Sequence, residues 1–265
     1  MRFLQDITLG TYMPVDSFVH RLDPRTKFIS LAVLMIAVFF FSTPLTFALM
    51  GLFIIFIIRL SKIPFTFVMR GVAPFFWLFL FAAAAHFFFT PGRSIPPFPI
   101  GFVDITQEGL INGLVITSRI LFIITLSSLL TLTTTPLELT AALKHVLSPL
   151  RAFKIPVDDF VMMMMLTIRF VPILLLESQR IINAQKSRGI DFETGGPIAR
   201  AKKLVPILIP LFHLSFMRAD DLAVAMVSRG YATGKERTSF KEMRFTGWDF
   251  VSMAVVGLMV PFFFA

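Results

Sequence analysis

"FISLAVLMIAVFFFSTPLTFALMGLFIIFII", residues 28–58, contains no charged side chain. As one helix it would run about 46 Å at 1.5 Å per residue, far longer than a hydrocarbon core of roughly 30 Å. Ser42-Thr43-Pro44 is the natural break, because proline cannot donate a hydrogen bond within a helix. The stretch is therefore expected to form two short spans joined by a tight turn. That places the chain in the membrane and makes its fold all-α.

The composition points the same way. Of the 265 residues 56% are hydrophobic, Phe occurs 33 times, and 15% are charged. Two further apolar regions follow, "GVAPFFWLFLFAAAAHFFF" (71–89) and "GLINGLVITSRILFIITLSSLLTL" (109–132), and a fifth span closes the chain at 248–265. The first 27 residues carry Asp6, Asp16, Asp23 and four basic residues, unlike a cleavable signal.

Basic residues set the orientation. Arg2, Arg21, Arg25 and Lys27 precede the first span, and Arg59, Lys62 and Arg70 separate the second from the third. With both groups cytoplasmic, the N-terminus is inside and segment 90–108 is outside, along with the C-terminus. Residues 133–247 hold 16 of the 25 Lys and Arg. Within them, 161–176 and 204–217 are apolar enough to span. If both did, loop 177–203, with Arg180, Lys186, Arg188, Arg200, Lys202 and Lys203, would lie outside, against the charge rule. Arg169, Pro172, Pro206, Pro210 and His213 also interrupt these segments. The expectation is that 133–247 stays on the cytoplasmic side, against the bilayer or a partner. The net charge of +9 then reflects topology and anionic lipid, and no nucleic-acid role is expected. Four parts result: an N-terminal segment (1–27), a four-span membrane part (28–132), a cytoplasmic helical part (133–247) and a last span (248–265).

Punctuation predicts three long cytoplasmic helices. The first covers about 136–150, with Thr135 as N-cap, Pro136 at the first helical position and Ser148-Pro149 as its end. The second covers about 157–188, with Asp158 and Asp159 in its first turn. The third covers about 197–229. The last two end alike, on Ser187-Arg188-Gly189 and Ser228-Arg229-Gly230, with arginines 41 positions apart. Glycine is a common helix stop, and a cation in the last turn complements the helix dipole. One such end is routine. Two with the same flanks suggest a duplicated docking device, since arginine offers a planar, multi-donor head to an acidic groove. Met162, Met163, Met164 and Met165 suit a surface that repacks against a partner, or ordinary core filling.

No engine is evident. The nearest approach to a phosphate-binding loop, "GYATGKE" (230–236), is one residue short and lacks a hydroxyl residue after Lys235. The three longer apolar regions contain no Asp or Glu, which weakens an ion-driven transporter. The chain has no cysteine, and His20, His86, His145 and His213 stand singly, so no metal site is expected. Arg119, within the fourth span, could meet backbone carbonyls or snorkel. Gly109-x-x-x-Gly113 fits close helix packing.

"HRLDPRTK" (20–27), "RFVP" (169–172), "ADDLAVAMVSRGY" (219–231) and the paired Ser-Arg-Gly ends together resemble the transmembrane T component of energy-coupling factor (ECF) transporters. The physics of "LDPRTK" stands apart from that likeness: Asp23 is a good N-cap, Pro24 fits the next position, and Arg25 and Lys27 anchor the span inside. The resemblance implies a non-catalytic subunit without a cofactor of its own. ATP would be bound by two homologous ATPase subunits docked on Arg188 and Arg229. A substrate-binding S component would rest on the cytoplasmic helices, contacting the Met162–Met165 run, and would choose the cargo. The competing readings are a self-contained secondary transporter or channel, and a non-transport membrane scaffold.

Overall fold

A computed structural model describes residues 12–41, 43–93, 106–192, 194–232 and 245–264. Arg2, Ser42 of the expected turn, most of segment 90–108 and Lys235 lie outside the described residues. Among those described, every regular element is a helix. The chain divides into two compact units: described residues 12–142 with 245–264, and 143–232.

The first unit contains α1 (Phe18–Arg21), α2 (Pro24–Phe39), α3 (Pro44–Ser61), α4 (Phe65–Val72), α5 (Phe76–Phe89), α6 (Gln107–Thr133) and α10 (Gly247–Phe264). The 28–58 stretch is a helical hairpin, with Thr43 capping α3 and Pro44 in its first turn. The third span starts earlier than expected, at Phe65, and a 3-10 turn at Ala73–Phe75 interrupts it around Pro74. The core lies between the hairpin and α6, where Leu34, Val38, Met50, Ile54 and Ile58 meet Leu126, Leu129 and Leu132. Phe47 links the layers, edge-on to Phe41 and stacked on Phe122. Outward faces are apolar too, with Trp77 and Phe81 largely exposed. In water such faces would be a liability; in lipid they are covered.

Three helix ends are tied together by buried polar groups. Asp23 caps α2 by accepting from the Arg25 N–H at 2.9 Å. Its own N–H donates to Asp249 Oδ1 at 2.8 Å, across 226 positions. Asp249, only 1% exposed, also accepts from the Thr246 N–H at 2.8 Å and so caps α10. Lys27, 8% exposed, donates from Nζ to the carbonyls of His20 (3.0 Å) and Thr133 (3.1 Å), binding α2 to the end of α6. At the hairpin's other end, Arg119 Nη2 donates to the Phe41 carbonyl at 2.8 Å. Of the two options open to Arg119, the carbonyl is the one taken.

α5 packs on α6 through the Gly109/Gly113 pair. A Cβ at Gly109 would stand 2.7 Å from the His86 carbonyl oxygen, and one at Gly113 2.7 Å from the Phe87 ring. Close approach at small residues is how helices associate when lipid removes the hydrophobic drive between them.

α7 (Pro136–Val146) begins in the first unit and ends in the second. Thr135 and Glu138 cap it reciprocally: the Glu138 N–H donates to Thr135 Oγ1 and the Thr135 N–H to Glu138 Oε2. The expected end near residue 150 is corrected. The α-helix stops at Val146, and Ser148-Pro149 opens a separate 3-10 helix, Ser148–Phe153, because proline is tolerated in a first turn but not an interior one. Next come α8 (Val157–Ser187) and α9 (Pro197–Ser228), within a residue of expectation, with Pro172, Pro206 and Pro210 inside them.

Among the described residues, four helices are long and apolar enough to cross a membrane: α3, α4–α5 taken together, α6 and α8. α2, at 16 residues, is shorter. Hydropathy alone therefore ranks α8 with the spans, while the charge distribution, with Arg169 and Pro172 inside the helix, argues for another placement.

Two substitutions test this frame. Gly109→Ala drives a methyl against backbone that cannot swing away, so a loss of about 1–3 kcal/mol is expected, read as a lower melting temperature in detergent. Asp249→Ala leaves the buried Asp23 N–H without an acceptor, at roughly 1–3 kcal/mol, and removes the cap from the more exposed Thr246 N–H. Asp249→Asn, with one carbonyl oxygen to offer, should fall between alanine and the parent. An unchanged melting curve for Asp249→Ala would remove it from this role.

Candidate functional site

The two Ser-Arg-Gly ends are built identically. At the first, the Ile190 N–H donates to the Gln185 carbonyl at 3.1 Å and the Gly189 N–H to the Lys186 carbonyl at 2.9 Å. At the second, the Tyr231 N–H donates to Met226 at 3.0 Å and the Gly230 N–H to Val227 at 2.9 Å. Both are Schellman turns, closed by a residue in the left-handed region. Gly189 has φ of 85° and Gly230 of 77°. A Cβ at either would meet nothing within 4 Å, so the demand for glycine is conformational and not steric.

The serines are turned inward on their own helices: Ser187 Oγ donates to the Asn183 carbonyl and Ser228 Oγ to that of Ala225. The arginines are what the turns present. Arg188 and Arg229 occupy the C-cap position, both exposed, and neither side chain forms an ion pair among the described residues.

Their mutual placement follows from how α8 and α9 pair. Gln185 Nε2 donates to the Pro206 carbonyl at 3.3 Å, Glu177 meets Arg218 at 3.6 Å, and the Tyr231 hydroxyl reaches Asp159 at 3.4 Å. As residue numbers fall along α8 they rise along α9, so the helices are antiparallel. The two arginines thus stand at opposite ends of the pair, about 45 Å apart for helices of this length. Their settings differ. The Arg188 end is bedded on an apolar knot of Ile182, Phe192 and Ile207, with Ile190 against it. The Arg229 end is attached through Tyr231 to the first turn of α8.

Between the helices lies an open groove of about 840 Å³, walled by Met163, Phe170, Val171, Leu222, Met226 and Tyr231, with Arg218 as its charged member. The strings "RFVP" and "ADDLAVAM" are thereby brought face to face. Of the methionine run, Met163 is exposed in the groove, while Met162, Met164 and Met165 are half-buried. Asp23, Pro24, Arg25 and Lys27 are in the other unit, at the start of α2, where the Arg25 guanidinium lies 5.8 Å from the Phe245 ring centre. Sequence reading missed Asp249, although Thr246-x-x-Asp249 has capping-box spacing. It also missed the Glu177–Arg218 and Asp159–Tyr231 pairs, which no local pattern announces.

The described residues form an all-helical, multi-pass membrane protein with two matched arginine-bearing helix ends. A family model described as cobalt transport protein, CbiQ, matches residues 16–240. The chain is 41% identical over 257 residues to the energy-coupling factor transporter transmembrane protein EcfT of Bacillus subtilis, covering 97% of this chain and 96% of that one. It is 41% identical to the EcfT of Streptococcus thermophilus, covering 96% of each chain. With the EcfT of Heliobacterium modesticaldum the identity is 42%, over 97% and 96%. The chain belongs to the EcfT family, the transmembrane components of energy-coupling factor transporters.

Placing alanine at Gly189 or Gly230 should cost about 1–2 kcal/mol through the left-handed backbone alone. Asparagine, which tolerates that region, should recover part of the loss. Local hydrogen exchange at Ile190 and Tyr231 reads the effect, and equal protection in the alanine and parent chains would contradict it.

Proposed function

We infer that this chain is the non-catalytic coupling subunit of a bacterial ECF importer for vitamins or other micronutrients. Residues 133–247 lie on the cytoplasmic side, with the N-terminus inside and the C-terminus outside. Ser187-Arg188-Gly189 and Ser228-Arg229-Gly230 dock on two homologous ATPase subunits, which bind the ATP. The antiparallel α8–α9 pair carries their motion to a membrane-embedded S component, which chooses the cargo and rests against the groove and the Met162–Met165 run.

One observation carries this reading: two identically closed, exposed arginine ends on a single antiparallel helix pair. A structural stop needs the glycine, but it does not need an unpaired arginine beside it both times. Two heads on one pair suit a partner with two related halves. The prolines inside α8 and α9 lie between the ends, and Met226 and Tyr231, beside the Arg229 end, also wall the groove. The absence of Asp and Glu from 28–58, 71–89 and 109–132 speaks against an ion-driven carrier complete in itself.

Arg188→Glu with Arg229→Glu is the direct test. Co-purification with the ATPases should drop at least about tenfold, as expected when a buried charge contact is reversed. The melting temperature of the chain itself should hold, because neither guanidinium supports the fold. A double variant that still assembles and supports uptake would overturn the docking role. Ion-driven uptake by the purified chain alone, in liposomes without ATPases, would establish the secondary-transporter reading instead.

A further inference from the structure

The turn between α7 and α8 is accounted for neither by the arginine ends nor by the groove. Pro149 sits in the first turn of its 3-10 helix, and Lys154 closes it at φ 61°, donating its N–H to the Arg151 carbonyl at 2.9 Å. Asp158, in the first turn of α8, grips the turn from two sides, through Lys144 Nζ at 2.8 Å and Arg151 Nη2 at 2.8 Å. A turn held this firmly is not a slack connector. Yet it turns apolar side chains outward: Phe153 is 77% exposed, Ile155 46%, and Leu150 is exposed as well.

Three large apolar side chains within six residues, interleaved with Arg151 and Lys154, form a surface with two demands. The apolar groups need a low-dielectric neighbour, and the cations need anionic or aqueous surroundings. Two cations share Asp158, while Lys154 forms no ion pair among the described residues, so the turn is net positive. The acyl–headgroup boundary of an anionic leaflet meets both demands at once, with the apolar side chains below the phosphates and the lysine stem rising to them.

We propose that the 150–155 turn is an interfacial anchor. It inserts Leu150, Phe153 and Ile155 into an anionic leaflet and so fixes the depth of the start of α8. The anchor rests on the placement of residues 133–247 on the cytoplasmic side.

Because the chain has no cysteine, Phe153→Cys introduces a single labelling site, and the exposed Lys186→Cys supplies a reference. Nitroxide-labelled full chain is placed in nanodiscs of phosphatidylcholine with or without phosphatidylglycerol. The ratio of oxygen to nickel-chelate accessibility at 153 should be several-fold above that at 186, at a depth of about 5–10 Å. Adding Lys154→Gln should lower the lipid-buried to aqueous ratio of the 153 signal about fivefold in phosphatidylglycerol discs and change it little without that lipid. A label at 153 as aqueous as that at 186 in both discs overturns the anchor. So does a label occluded only when other transporter subunits are bound, which would mark a protein contact. A membrane-impermeant thiol reagent on sealed vesicles separates the two ideas. If 153 and 186 are reached from opposite sides, the cytoplasmic placement fails. If they are reached from the same side and 153 is aqueous, only the anchor fails.

Discussion

Asp249 accepts one N–H from each of two helix starts that are far apart in sequence, and the arrangement of the membrane unit depends on it. A helix leaves its first N–H groups without intrahelical partners, and in a membrane protein water cannot be relied on to satisfy them. Here the Asp23 N–H and the Thr246 N–H share one carboxylate buried to 1% exposure. Lys27 completes the joint by closing the last turn of α6. The beginning of α2, the beginning of α10 and the end of α6 are therefore fixed at one point, and the apolar seams of the hairpin and α6 zip away from it. Arg119 does the matching work at the far end, filling the Phe41 carbonyl where the hairpin turns.

Much of this was legible in the sequence because it is local. Charge-free length located the hairpin, proline located its break, and the capping residues Thr135 and Asp23 act where their spacing puts them. The ends of α8 and α9 were readable for the same reason, since a Schellman turn involves only consecutive residues. What was hidden is pairing across long separations. Asp249 has an ordinary N-cap pattern, and nothing nearby announces that its second oxygen serves Asp23. The antiparallel register of α8 and α9, which decides how far apart the arginines stand, rests on contacts such as Gln185 with Pro206 and Asp159 with Tyr231.

α8 shows where two readings of one helix part. By length and hydropathy it equals the spanning helices. By charge it belongs on one side, since crossing would put a strongly basic loop outside. Hydropathy is a property of a window, whereas the charge rule is a property of the whole chain, so the two need not agree on one helix. The end of α7 taught a smaller lesson. Ser148-Pro149 does mark the end of the α-helix, and the same proline begins a new 3-10 turn. Here it begins the rigid bend that sets the direction in which α8 departs.

The antiparallel pairing has a mechanical consequence. Arg188 and Arg229 sit at the two extremities of one beam-like pair of helices that run in opposite directions. Two handholds near the middle would transmit little more than a push. At the extremities, equal and opposite displacements act as a couple on a long lever arm and swivel the beam about its centre, whereas displacements in the same direction carry it sideways without rotation. If the two arginines dock as proposed, the register of α8 and α9 determines which relative motions of a two-part partner become torque and which become mere translation.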